Sequence, residues 1–195
     1  MDKVSYALGL SIGNNFQSSG IKDLAIEDFI NGLKAVMDNT KPEMSYDEAK
    51  QVIEEYFMRL QQEKLEINKQ AGEEFLNINK HKAGVVELPS GLQYEVLKKG
   101  EGAKPTASDK VVCHYHGTLI DGTVFDSSVQ RNSPAEFGVS QVIPGWVEAL
   151  QLMEKGSKWR LFIPSHLAYG EQGAGNAIEP NSALIFEVEL LDIKK

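Results

Sequence analysis

The sequence predicts an α+β protein in two parts. An all-helical amino-terminal region runs out into a long helical arm, and an antiparallel sheet wrapped on one short helix follows. Three observations carry this reading. Apolar residues recur at three and four before Pro89, then alternate or form short runs between Gly and Pro after it; these are the periods of helix and strand respectively. No proline interrupts residues 43–88. After Pro89 only one stretch, opened by Pro144-Gly145, keeps helical spacing.

In the first part, Val4, Leu8, Ser11 or Ile12, and Phe16 share one helical face, while Ser5, Gly9 and Gly13 form a strip of small residues on another. Glycine is costly inside a helix, so two at this spacing point to the close approach of a second helix. Gly20 supplies a stop. A second pattern uses Leu24, Phe29, Ile30, Leu33 and Met37 and ends before Asp38–Pro42. Ser45 and Glu48 have the form of a capping box opening a third helix, whose stripe is Ala49, Val52, Ile53, Tyr56, Phe57 and Leu60. Beyond Leu60 the stripe thins through Ile67, Ala71, Phe75 and Ile78. Continuous to His81, this helix is about 55 Å long, and it reads as a spacer that is wet on most sides after its first half. Three such helices cannot bury their apolar faces alone. They pack either on a second copy of the chain, the reading preferred here, or back on the second part.

In the second part, Leu92–Leu97 alternates and ends at Lys98-Lys99-Gly100, and Val111–Leu119 is a second strand. Asp121-Gly122 before Thr123-Val124-Phe125 is a hairpin signal, because glycine tolerates positive φ. Lys158–Ile163 is a strand stopped by Pro164, and Ala183–Leu191 is the last, with Leu184, Phe186, Val188 and Leu190 on one face. The helix between them carries Trp146, Val147, Ala149, Leu150 and Leu152. One short helix against several antiparallel strands is an α+β arrangement.

Composition narrows function. The 195 residues carry a net charge of −8 without a basic stripe, which argues against nucleic acid and against an anionic membrane surface as partners. A lone Cys113 rules out an internal disulfide and, inside Val111-Val112-Cys113, reads as core. No secretory leader is evident and no window matches a membrane span. The expectation is therefore a cytoplasmic protein, or a periplasmic one if a signal peptide has been removed. His114 and His116 would share one strand face, but no second ligand cluster accompanies them, so no metal is expected; Tyr115 and Cys113 face the other way. There is no G-x-S-x-G elbow, and Gly170, Gly173 and Gly175 do not open a helix, so a phosphate cradle is not expected. What remains is aromatic: Tyr115, Phe125, Phe137, Trp146, Tyr169 and Phe186, from different elements.

Five blocks then fall in order: Val112–Gly117, Asp121–Ser128, Val142–Trp146, Ala168–Gly170 and Leu184–Leu190. Together they resemble the FK506-binding peptidyl-prolyl cis/trans isomerases over essentially all of Leu92–Lys195. Val4–Gly9 opens a region similar to the dimerisation domain of the bacterial macrophage-infectivity-potentiator subgroup. The resemblance implies residues 1–44 as a helical dimerisation region, 45–85 as the arm and 86–195 as the isomerase domain, a half-barrel of antiparallel strands around the short helix. It implies Trp146 as the floor of an apolar pocket, with Tyr115, Phe125, Phe137, Val142, Ile143, Ile178 and Phe186 as walls. It also implies the Ile143 N–H and Tyr169 hydroxyl as donors to the bound carbonyls, and Asp126 at the edge near Tyr115 and Arg131. Tyr115, Asp126, Trp146, Tyr169 and Phe186 are thereby the catalytic set. Ala135 and Ala174 depart from the single-domain eukaryotic pattern, where a phenylalanine and a histidine are common, and bear on macrolide affinity more than on isomerisation.

The implied activity is acceleration of X-Pro bond rotation in unfolded or folding chains by a V-shaped homodimer with chaperone activity. FK506- or rapamycin-type macrolides would be inhibitors, and no cofactor is needed. The competing reading is a holdase chaperone in which isomerisation is incidental.

Overall fold

In the computed structural model, which describes all 195 residues, the chain forms four α-helices and a seven-stranded, wholly antiparallel sheet. It divides into two units, Met1–Gln62 and Glu63–Lys195.

The first unit holds α1 (Lys3–Ser18), α2 (Ile26–Met37) and the start of α3 (Tyr46–Asn79). Asp2 caps α1 by accepting from the Ser5 N–H at 2.8 Å and the Ser5 hydroxyl at 2.7 Å, which satisfies donors that have no partner within the helix. Ser45 does the same for α3, its hydroxyl accepting from the Glu48 N–H at 3.1 Å. Phe16 of α1 meets Phe29 of α2 edge-on, with ring centroids 5.4 Å apart. Yet neither α1 nor α2 contains a buried residue. Val4, Tyr6, Leu8, Leu10, Leu33 and Met37 all stay exposed.

The second unit begins inside α3, and here the structure corrects one expectation. The half of α3 read as the wet half is the packed one. Gly72 approaches so closely that a Cβ added to it would stand 3.1 Å from the Ala183 Cβ. Phe75 lies 6.0 Å from Phe162. The buried Asn79 donates to Gln93 at 3.0 Å, and Gln93 donates in turn to the Leu76 carbonyl at 2.8 Å. Besides Phe75, a glycine and buried amides make this contact, and an apolar stripe registers neither of those.

The sheet comprises β1 (Val85–Glu87), β2 (Gln93–Lys98), β3 (Lys110–Leu119), β4 (Val124–Ser127), β5 (Ala135–Gly138), β6 (Lys158–Ile163) and β7 (Leu184–Lys194). Its order is β1-β2-β6-β7-β3-β4, with β5 also paired to β3. Both β4 and β5 pair with β3, at His116–Thr118 and at Lys110–Cys113 respectively. Gly122, at φ 89°, turns the β3–β4 hairpin, and Leu119 and Thr123 close it with a 2.9 Å bond.

Alternation fills one face. Cys113, Tyr115 and Gly117 lie opposite Leu190, Val188 and Phe186, and Val188 and Phe186 lie in turn beside Trp159 and Leu161 of β6. These buried rows close on α4 (Pro144–Leu152) through Trp146, Ala149 and Leu150. Gly145 lets that helix sit down on the sheet: a Cβ there would stand 2.6 Å from the Ile163 Cγ2. No helix is long and apolar enough to cross a membrane.

Candidate active site

The pocket grows out of the aromatic rows. Gly117 has no side chain where Phe125 of β4 and Phe186 of β7 converge; an added Cβ would stand 2.6 Å from one ring and 2.8 Å from the other. The two rings meet edge-to-face at 5.3 Å. Trp146, in the first turn of α4 and 4% exposed, receives the edges or faces of Tyr115 at 5.6 Å, Phe137 at 5.6 Å and Phe186 at 5.2 Å, at interplanar angles of 79–84°. These T-shaped contacts suit aromatic quadrupoles and lock the walls against one another. The result is an open cavity of about 760 Å³.

Tyr115, Phe125, Asp126, Phe137, Val142, Ile143, Trp146, Tyr169, Ile178 and Phe186 all line this cavity. Arg131, singled out with them, does not; it stands behind the wall. Its guanidinium donates to the Asp126 Oδ1 and, at 2.9 Å, to the Tyr115 Oη, and it lies 5.7 Å from the Tyr115 ring centroid. The Tyr115 hydroxyl donates to the Asp126 Oδ2 at 2.5 Å. Partial burial pushes the Asp126 carboxyl up, but the bonds from Tyr115 and Arg131 and the arginine's charge outweigh it and hold the group below the usual carboxylate range. Burial and the bond to Asp126 raise the Tyr115 phenol, against the opposing pull of Arg131. Asp126 is therefore an anchored anion at neutral pH, with no proton to give and little basicity.

The Ile143 N–H has no backbone acceptor within the chain, while the Ile143 carbonyl accepts from Trp146 and Val147 at the start of α4. Tyr169 lines the mouth at 39% exposure. The Trp146 Nε1 is buried without a partner. Ala174 lines the cavity, whereas Ala135 sits in β5 against the core.

Gln141, Gly175 and Ala177 also line the pocket and were not singled out from the sequence. They lie in a single 3-10 turn (Val139–Gln141) and in the loop after Tyr169; such segments have no period to read, so adjacency to Val142 and Ile178 was the only available signal. His114 and His116 point away from the core, their Nδ1 atoms 3.0 Å from the Ser128 and Ser127 hydroxyls. The Cys113 thiol, shut in the core, is pushed up to about 12 by burial.

The family model described as FKBP-type peptidyl-prolyl cis-trans isomerase matches residues 101–191, and the domain amino-terminal to FKBP-type peptidyl-prolyl isomerase matches residues 1–96. The chain is 45% identical over 194 residues to the FKBP-type 22 kDa peptidyl-prolyl cis-trans isomerase of Escherichia coli, covering 98% of this chain and 94% of that protein. It is also 45% identical to the outer membrane protein MIP of Legionella longbeachae, over 100% of this chain and 86% of that protein. The crystal structure of FkpA from Escherichia coli superposes with a TM-score of 0.81 at 36% identity, covering 98% of this chain and 95% of that one. With family models matching residues 1–96 and 101–191 and a relative 45% identical over 98% of the chain, the chain belongs to the FKBP-type peptidyl-prolyl cis-trans isomerases.

Proposed function

We propose that X-Pro bonds rotate in the cavity floored by Trp146, and that the chain works as a homodimer with chaperone activity. The amide C–N bond resists rotation by about 18–20 kcal/mol. Twisting it returns electron density to nitrogen and leaves a less polar group. The aromatic walls then favour the twisted state over the hydrated planar amide, which is differential binding of the transition state. A thousandfold acceleration needs only about 4 kcal/mol. In this reading the Ile143 N–H and the Tyr169 hydroxyl hold the flanking carbonyls. Asp126, pinned by Tyr115 and Arg131, orients and polarises without abstracting a proton. Macrolides of the FK506 type compete for the same cavity. The observation that carries the assignment is Trp146 at the floor, ringed by three aromatic side chains.

The dimer rests on the first unit. Its helices bury no residue of α1 or α2, and a Cβ at Gly9 or Gly13 would meet nothing within 4 Å. An open glycine strip beside exposed Val4, Leu8 and Leu10 is a surface that a second copy can cover. Two pockets in one particle raise the effective concentration for a long unfolded client. Sedimentation of Gly13→Leu tests this. Leucine favours helix more than glycine does, so loss of the dimer would not reflect a loss of helix propensity, and circular dichroism on the same sample checks that the helices persist. It should sediment as a monomer, isomerise short peptides normally, and suppress aggregation poorly. A Gly13→Leu dimer with full chaperone activity refutes the strip.

The exposed apolar face also supports a second reading, a holdase in which isomerisation is incidental. Trp146→Leu or Tyr169→Phe separates the two, because a holdase keeps suppressing aggregation after peptide isomerisation is lost.

A further inference from the structure

One wall of the cavity is neither strand nor α4. Ala174, Gly175, Ala177 and Ile178, four of its lining residues, come from the loop between Tyr169 and β7. The loop has internal ties: Ala174 and Ile178 exchange bonds of 2.8 and 3.1 Å, and the Asn181 N–H donates to the Gly170 carbonyl at 2.8 Å. Gly173 and Asn181 sit at positive φ, 64° and 58°, and a Cβ on Gly173 would stand 2.3 Å from the Ile178 carbonyl oxygen. These ties shape the loop, and Ile178 packs into the hydrophobic core.

A second hold comes from α3. The Asn68 Nδ2 donates to the Pro180 carbonyl at 2.9 Å and to the Glu179 carboxylate at 3.3 Å. Lys64 pairs with the same carboxylate at 3.2 Å. In the reverse direction, Asn181 donates to the Leu65 carbonyl at 3.2 Å. Three consecutive loop residues, Glu179, Pro180 and Asn181, are thus held by one helical turn, immediately after the buried Ile178. A short turn below, Gly72 and Ala183 close the far end of the loop onto the same helix.

We propose that Asn68, supported by Lys64, is a positioning residue for the isomerase site: through Pro180 and Glu179 it holds the Ile178 wall against the bound chain. This rests on the Trp146 cavity being the site. The loop wall touches planar and twisted amide alike, so loosening it weakens binding uniformly, which raises KM and leaves kcat in place. Lys64 and Glu179 are half-exposed, and such ion pairs contribute little, so Asn68 dominates.

The test compares Asn68→Ala, Lys64→Ala and Trp146→Leu, with Gln70→Ala on the same helix as a control, in the full chain. Each is assayed with an X-Pro tetrapeptide and by titration with FK506. Asn68→Ala should raise KM and the FK506 Kd together by about tenfold, equal to about 1.4 kcal/mol, with kcat within about twofold. Lys64→Ala should move both by about twofold or less, and Gln70→Ala neither. Combining Asn68→Ala with Glu179→Ala should cost less than the product of the two single effects, because both act on one loop. Should Asn68→Ala not fold, the near-isosteric Asn68→Asp, which cannot donate and opposes Glu179 with a like charge, should shift KM and Kd in the same direction. A folded Asn68 variant with unchanged KM and Kd, beside an impaired Trp146→Leu, overturns the positioning role and leaves the site standing. An unimpaired Trp146→Leu overturns both.

Discussion

Replacing Trp146 separates what the pocket floor does for stability from what it does for catalysis. Truncation of a buried tryptophan to alanine costs about 3–5 kcal/mol, and leucine refills part of the space, leaving about 2–3 kcal/mol. The aromatic contacts give the same order: three edge-to-face pairs at about 0.5–1.5 kcal/mol each. At about 2–4 °C per kcal/mol for a chain of this size, Tm falls by about 5–10 °C. Catalysis is read separately, well below that temperature. If the floor supplies half of the roughly 4 kcal/mol behind a thousandfold acceleration, Trp146→Leu loses about 30-fold in kcat/KM. Trp146→Phe should behave differently. It keeps an aromatic floor and removes an indole N–H that is buried without a partner, a group whose desolvation costs about 1–3 kcal/mol. Its kcat/KM should stay within about fivefold of the parent. The assay is protease-coupled or direct NMR exchange on a Pro tetrapeptide, with denaturant melts on the same samples. A folded Trp146→Leu within twofold of the parent refutes the reasoning, since desolvation by the aromatic floor would then contribute nothing to the barrier.

Other perturbations follow from the same geometry. Gly117→Ala drives a methyl into Phe125 and Phe186; overpacking of this kind costs about 1–3 kcal/mol, and peptide turnover should fall although no wall residue has changed. Asp126, held below its ordinary value, stabilises the fold fully above the unfolded carboxylate pKa of about 3.9, and this contribution is lost as pH falls through the lower folded value. Acid unfolding of Asp126→Asn should therefore lack part of the parent's slope in that window, and an unchanged slope would contradict the Tyr115–Asp126–Arg131 arrangement. Cys113, with its thiol pushed to about 12 by burial, should resist iodoacetamide at pH 8 in the folded chain and react fully in denaturant. Removal of residues 1–62 should leave a stable isomerase. Removal of 1–85 also strips the α3 segment that bonds Gln93, Pro180 and Asn181, and should lower stability sharply; equal melts for the two truncations would contradict the packing of α3.

The strands and helices with a regular period were legible in the sequence. The alternation of Cys113 and Tyr115 against His114 and His116 gave the inward face of β3, and Asp121-Gly122 gave its hairpin. The short strands were not. β5 is Ala-Glu-Phe-Gly and β1 only Val-Val-Glu; neither is long enough to show a period, and each is fixed by its partner strand rather than by its own propensity. The aromatic lining of the cavity came from the resemblance of the five blocks; the residues alone showed only that large rings from separate elements lie in the second part. Of the loop wall, Ile178 and Ala174 were reached through the same resemblance, whereas Gly175 and Ala177 offer no side-chain signal. The packed end of α3 was misjudged for a related reason: Gly72, Asn79 and Gln93 join two surfaces by closeness and buried hydrogen bonds, which hydrophobic counting treats as exposure.

The most direct test is the isomerisation rate of a short X-Pro peptide with the full chain, titrated with FK506. The account predicts strong acceleration that disappears as the drug fills the Trp146 cavity, in step with quenching or shift of tryptophan fluorescence. Acceleration that persists with the cavity occupied, or none at all from a demonstrably folded sample, would contradict it.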